Sequence, residues 1–215
     1  MNKLTKENYE EAINYMNKAI AIHPDSAVYY DNLSLAYQAM KNYSESRKNL
    51  EKALSLDPGN AGYINSIGLS YYYEKNYPRA IEFYNKAVEI DQTETYYDNL
   101  GLAYEEMNDY KNARSNYEKA LAISSRKDYF LNLIGLMYYY DDHMPDAIIH
   151  YKKAIDFNNK DAVYWSNLAL AYHVAGNLVE AEKAAIKAAA IDGSEVYQTR
   201  LADIKKLAKE KAKQK

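Results

Sequence analysis

Residues 96–104 read YYDNLGLAY, and residues 29–37 read YYDNLSLAY, the same nine residues but for one small position. Within the stretch Tyr97, Leu100, Gly101 and Tyr104 fall at three- and four-residue spacing, the period of one face of an α-helix. The small residue recurs at a shorter interval, as Ser34, Gly68, Gly101, Gly135 and Ala169, about every 34 residues. Each is followed three residues later by Tyr37, Tyr71, Tyr104, Tyr138 or Tyr172, and preceded by Leu33, Ile67, Leu100, Ile134 or Leu168.

A second set of small residues follows each of the first, at Ser46, Ala80, Ala113, Ala147 and Ala181, then at Ala53, Ala87, Ala120, Ala154 and Ala188. A small side chain lets two helix backbones approach, and large residues on either side fill the grooves beside the contact. The pattern therefore describes pairs of helices repeated along the chain, and a fixed period of this length marks a stacked array. No alternating strand pattern competes with it.

These landmarks resemble the tetratricopeptide repeat family, whose pattern runs from a large residue through Leu-Gly and Tyr to Ala, an aromatic, Ala and Pro. The large first position is Tyr30, Ile64, Tyr97, Leu131 and Trp165, and the later aromatic is Tyr84, Tyr117 and Tyr151. Leu50 and Ala185 depart from that aromatic, and the closing proline survives only as Pro24 and Pro58. The resemblance implies an all-α fold, a right-handed α-solenoid of antiparallel helix pairs, occupying residues 1–215 as one array. Its expected parts are a half repeat over 1–26, full repeats over 27–60, 61–93, 94–127, 128–161 and 162–195, and a capping helix with a basic tail over 196–215.

The half repeat matches only a second helix, through Tyr9, Ala12, Met16 and Ala19. Thr5 is its expected cap, and Leu4 is expected to staple against Tyr9. Ala12, Ile13, Met16 and Ile20 would then lack a covering first helix, which makes self-association through this end a second expectation.

The copied unit is larger than one repeat. Residues 27–60 share 10 identities with 61–94 over 34 positions, whereas 28–93 share 29 with 95–160 over 66. Odd and even repeats therefore differ, chiefly on one face. With the small residue as position 8, odd repeats carry Asn32, Asn99 and Asn167 at position 6, and even repeats carry Asn65 and Asn132 at position 5.

Asparagine is not favoured inside a helix, and burying its amide without partners costs about 1–3 kcal/mol, so the five need an account beyond packing. Positions 2, 5, 9 and 12 share a stripe about 100° from the core stripe. The family resemblance implies that this stripe lines the concave surface. It holds Leu35, Leu69, Leu102, Leu136 and Leu170, with Tyr72, Tyr73, Tyr139 and Tyr140 from the even repeats and Asp31 and Asp98 from the odd ones.

A carboxamide can satisfy a backbone donor and an acceptor at once, so an Asn ladder suits an extended peptide. Leu rows and tyrosine rings supply apolar contact with hydroxyl tips, and Asp31, Asp98, Glu105 and Glu106 favour Lys or Arg in the ligand. The alternative is that the Asn side chains bond neighbouring helices and the rings pack between repeats.

The family's chaperone-binding members hold a carboxylate with Lys and Arg at inner positions 2, 5 and 6. Here Val28, Asp31, Asn32, Gly62, Asn65, Ser66, Thr95, Asp98 and Asn99 include no cation, so capture of an acidic tail is not expected.

The remaining composition narrows the function classes. There is no cysteine, no phosphate loop and no nucleophile motif, and His23, His143, His150 and His173 lack ligand spacing, so no enzyme, cofactor or metal is expected. Residues 200–215 carry seven Lys or Arg against Asp203 and Glu210, a net of +5, which leaves −8 of the overall −3 on the body. An acidic body argues against nucleic acid. No apolar run spans a bilayer and no signal sequence opens the chain, so a soluble, cytoplasmic protein without membrane partners is expected. The expected role is a noncatalytic scaffold for an extended, neutral-to-basic peptide. A self-assembling element and a regulatory fragment of a larger enzyme are the alternatives.

Overall fold

A computed structural model describes residues 6–213. Thr5 and Leu4, expected at the start of the first helix, lie outside the described residues, as does the end of the basic tail at Lys215. The described residues form helices and turns, with no strand. The chain divides into two compact units, the first ending at Asn108 and the second beginning at Asp109.

The first unit contains α1 (Lys6–Ile22), α2 (Ala27–Ala39), α3 (Tyr43–Leu56), α4 (Ala61–Tyr73), α5 (Tyr77–Ile90) and α6 (Glu94–Glu106). The second contains α7 (Tyr110–Ile123), α8 (Lys127–Tyr140), α9 (Met144–Phe157), α10 (Ala162–Val174), α11 (Leu178–Ile191) and α12 (Glu195–Lys213). Within each unit every helix packs on its neighbours in sequence, and α4 also touches α6 as α8 touches α10. First helices thus stack on first helices, which sets side chains one repeat apart beside one another.

The turn inside each pair has one construction. Lys41, Lys75, Asn108, Asp142 and Gly176 adopt positive φ, between 58° and 76°. In the first pair the Lys41 amide donates to the Gln38 carbonyl at 2.8 Å and the Asn42 amide to the Tyr37 carbonyl at 2.8 Å. These two bonds close a helix end in the Schellman manner and satisfy its orphan carbonyls. The next residue then caps the second helix: Asn42, Asn76, Asp109 and Asn177 each accept an amide from three residues on. Only Gly176 takes the left-handed conformation without a side-chain penalty.

The core sits between paired helices. Where α4 meets α5, a Cβ on Gly68 would lie 2.7 Å from two ring carbons of Tyr84, and on Gly135 it would lie 2.8 Å from the Tyr151 ring. Both tyrosines are fully buried. Sixteen residues separate the members of each pair, and the same offset joins Ser34 to Leu50 and Ala169 to Ala185. Glycine thus stands where the facing residue is tyrosine, and a larger residue where it is leucine or alanine. At that offset the departures at Leu50 and Ala185 pair a smaller partner with a larger residue than glycine, which conserves volume across the pair.

The two end helices differ in cover. No residue of α1 is fully buried, and Ala12, Ile13, Met16 and Ile20 are all half-buried. α12 packs on α11 and buries Ile204, and its Arg200 guanidinium donates to the Ser166 hydroxyl on α10.

Candidate functional site

The first-helix stripe carries the residues singled out from the sequence. On α2, Leu33 and Ser34 face the core, while Asn32 and Leu35 are exposed, Leu35 by 51%. Leu69, Leu102, Leu136 and Leu170 are half-buried at the same position of later first helices. Asp31 and Asp98 are also half-buried. Burial raises the Asp31 carboxyl above the usual carboxylate range.

The five asparagines fall into two kinds. Asn65 and Asn132, from even repeats, are buried. Asn99 and Asn167, from the odd repeats that follow, are half-buried. Nδ2 of Asn99 donates to Oδ1 of Asn65 at 2.8 Å, and Nδ2 of Asn167 donates to Oδ1 of Asn132 at 2.9 Å. Each buried carbonyl oxygen is therefore satisfied by the next first helix, which lowers the cost of placing the amide there. The bond occupies Nδ2 of the half-buried partner and leaves its carbonyl oxygen for another donor.

The tyrosines of the even repeats form rows at the end of their helices. In the first unit, Tyr73 stacks on Tyr43 with ring centroids 5.7 Å apart, and Tyr72 meets Tyr73 edge-on at 5.9 Å and Tyr77 edge-on at 5.5 Å. The hydroxyl of Tyr77 donates to one oxygen of Glu106 at 2.9 Å, and that of Tyr72 approaches the other at 3.5 Å. Burial first, and then the Glu106 charge, pushes the Tyr72 hydroxyl up to about 12, so it remains a proton donor. In the second unit Tyr140 stacks on Tyr110 at 5.4 Å and meets Tyr139 at 5.7 Å.

Beside each row lies an arginine clasp that the sequence reading did not single out. Arg47 donates to both carboxylate oxygens of Glu74, at 2.7 and 3.1 Å, and lies 4.3 Å from the centroid of Tyr71, which also stacks on Phe83 and lies under Arg79. In the second unit Arg114 lies 4.2 Å from the Tyr138 centroid and 3.5 Å from Asp141, and His150 stacks on Tyr138. The clue was present: each of these residues has its counterpart 67 positions away. Tyr43 and Tyr110, also unremarked in the sequence reading, obey the same offset.

Among the described residues no group of three or more His, Asp or Glu is placed to hold a metal ion, and no helix is long and apolar enough to cross a membrane.

Family models described as tetratricopeptide repeats match residues 3–26, 27–60 and 60–126. The chain belongs to the tetratricopeptide repeat (TPR) family. No curated protein matches it by sequence. Solved TPR structures share its fold. The C-terminal part of a TPR repeat-containing protein from Cytophaga hutchinsonii aligns with a TM-score of 0.77 at 20% identity, over 92% of this chain and 80% of that one. YrrB, described as a TPR protein with an unusual peptide-binding site, aligns at 0.71 and 17% identity, over 87% of this chain and 97% of its own. The Cut9–Hcn1 hetero-tetramer of the APC/C gives 0.63 and 21% identity over 91% of this chain, which spans 39% of that longer one. The fold of this TPR chain is thus an all-α solenoid of helix pairs.

Proposed function

We propose that this protein is a noncatalytic protein-interaction scaffold whose first-helix stripes bind an extended, neutral-to-basic peptide segment. The observation that carries the reading is on α2. There Asn32 and Leu35 stand exposed beside Leu33, which is only 4% exposed and already supplies the core contact of that turn. An exposed amide next to an exposed aliphatic side chain offers a peptide one backbone contact and one apolar contact. The half-buried Asn99 and Asn167, with Leu69, Leu102, Leu136 and Leu170, extend the same chemistry within each unit. The peptide-binding site named for YrrB, which has this fold, supports the assignment.

The test is capture of peptides from a display library by the wild-type chain and by an Asn32→Ala, Leu35→Ala variant. Both side chains are exposed, so the variant should keep its unfolding temperature while losing peptides that the wild type retains. Identical selections by the two proteins would remove this stripe from the binding surface.

A second reading is self-association through α1, favoured by the absence of any fully buried residue on that helix. Sedimentation over a wide concentration range tests it, and a monomer throughout would end it.

A further inference from the structure

The proposed peptide surface leaves one cluster unexplained. Tyr43, Tyr72, Tyr73 and Tyr77 come from α3, α4 and α5, and Glu106 closes the row from α6. Core packing does not account for the outermost of these rings. The tyrosine that fills the helix contact, Tyr84, is 1% exposed, while Tyr73 is 49% exposed. Apolar side chains would serve an inert helix end at least as well.

The charge pattern sets Glu106 apart from its neighbours. Glu74 is held by Arg47, Glu82 by Arg79 and Lys86, and Glu45 by Lys48. Among the described residues the partners of Glu106 are the hydroxyls of Tyr72 and Tyr77. Two neutral donors orient the carboxylate without neutralising it. An exposed carboxylate bordered by several aromatic rings attracts a cation twice over, by Coulomb attraction and by the negative ring faces.

We infer that Tyr72, Tyr73, Tyr77 and Glu106 form a subsite for one basic side chain, lysine or arginine, of a bound peptide. This rests on the peptide-binding reading and makes it more specific. The second unit provides a natural contrast. Sixty-seven residues on, Tyr139 and Tyr140 are retained, but Met144 replaces Tyr77 and His173 replaces Glu106. That row keeps the rings of Tyr110, Tyr139 and Tyr140 but lacks the carboxylate and the ring and hydroxyl that Tyr77 supplies beside it. The duplicated surface therefore offers a basic residue both a carboxylate and ring faces at one row, and ring faces alone at the other.

The experiment titrates N-acetyl-lysine N-methylamide into tyrosine-ring-labelled protein and follows assigned ring signals by NMR. The uncharged probe is the norleucine analogue, which has the same backbone. The lysine probe should shift Tyr72, Tyr73 and Tyr77 saturably and more tightly than norleucine by roughly three- to thirty-fold, the range for one cation–π contact plus one exposed ion pair. Glu106→Gln should cut the difference to the roughly two- to fivefold that the ring faces alone supply, with an unchanged circular dichroism spectrum showing that the fold persists. The Met144→Tyr, His173→Glu variant should create the same preference at Tyr139 and Tyr140. Equal affinity for the two probes in the wild type, or an undiminished preference in Glu106→Gln, overturns the subsite. If the lysine preference holds but the peptide selections do not depend on Asn32 and Leu35, the extended-peptide reading fails and the cation subsite stands.

Discussion

The ring of Tyr84 occupies the space that a methyl group on Gly68 would need, with two ring carbons 2.7 Å from the ideal Cβ position. Gly68→Ala should therefore destabilise the protein although alanine is the better helix former. The overpacking costs about 1–3 kcal/mol, against a propensity gain of about 1 kcal/mol. Urea denaturation would measure the difference. In a Tyr84→Leu background the penalty should shrink or change sign, since the first repeat carries Ser34 and Leu50 at the same offset of sixteen. An unchanged penalty in that background would mean that the ring is not its cause.

The Asn65 and Asn99 pair predicts a coupling between two first helices. Asn99→Ala leaves the buried Asn65 oxygen without its donor and should cost about 1–3 kcal/mol. Asn32→Ala, at an exposed position, should cost far less. A double-mutant cycle on Asn65 and Asn99 should return a coupling of at least about 0.5 kcal/mol. Additive losses would show that the bond contributes nothing to stability.

The left-handed turn residues predict effects of opposite sign. Lys75, at φ 61°, bears a side chain in a conformation that disfavours one by about 1–2 kcal/mol, so Lys75→Gly should stabilise by about 0.5 kcal/mol after the entropy of glycine is subtracted. Gly176→Ala should destabilise by about 1 kcal/mol for the same reason. Shifts of the denaturation midpoint would report both, and a loss of stability in Lys75→Gly would contradict the turn geometry.

Alkaline pH should unfold the protein through its tyrosines. Burial raises the hydroxyls of Tyr84, Tyr151 and Tyr164 well above their usual value, and Tyr72 is pushed up to about 12. A phenol raised in the folded state ionises more readily in the unfolded chain, whose tyrosines titrate near ~10. Its contribution is fully present below that value and is lost as pH rises through the folded value. Ultraviolet titration should show an early group of exposed tyrosines, then a late group that ionises together with the loss of helical signal. A single early titration of all tyrosines, with the helices intact, would contradict their burial.

Much of the architecture could be read along the chain. The spacing of Leu100, Gly101 and Tyr104 and its recurrence predict helix pairs because backbone geometry alone decides which residues share a helix face. The exchange of Gly68 and Tyr84 for Ser34 and Leu50 was also written there, at a constant offset of sixteen, but nothing in the spacing says that those positions touch. The shared asparagines could be recognised only as a group that needed partners.

What the tertiary structure decided was which residues became those partners. Asn99 reaches Asn65 because their first helices lie side by side, and Glu106 receives Tyr72 and Tyr77 because the ends of α4 and α6 and the start of α5 converge. Periodicity along one helix assigns a residue to a face. Which neighbour meets it there depends on how far apart adjacent helices pack and where each turn redirects the chain, quantities set by the volumes in the core between them.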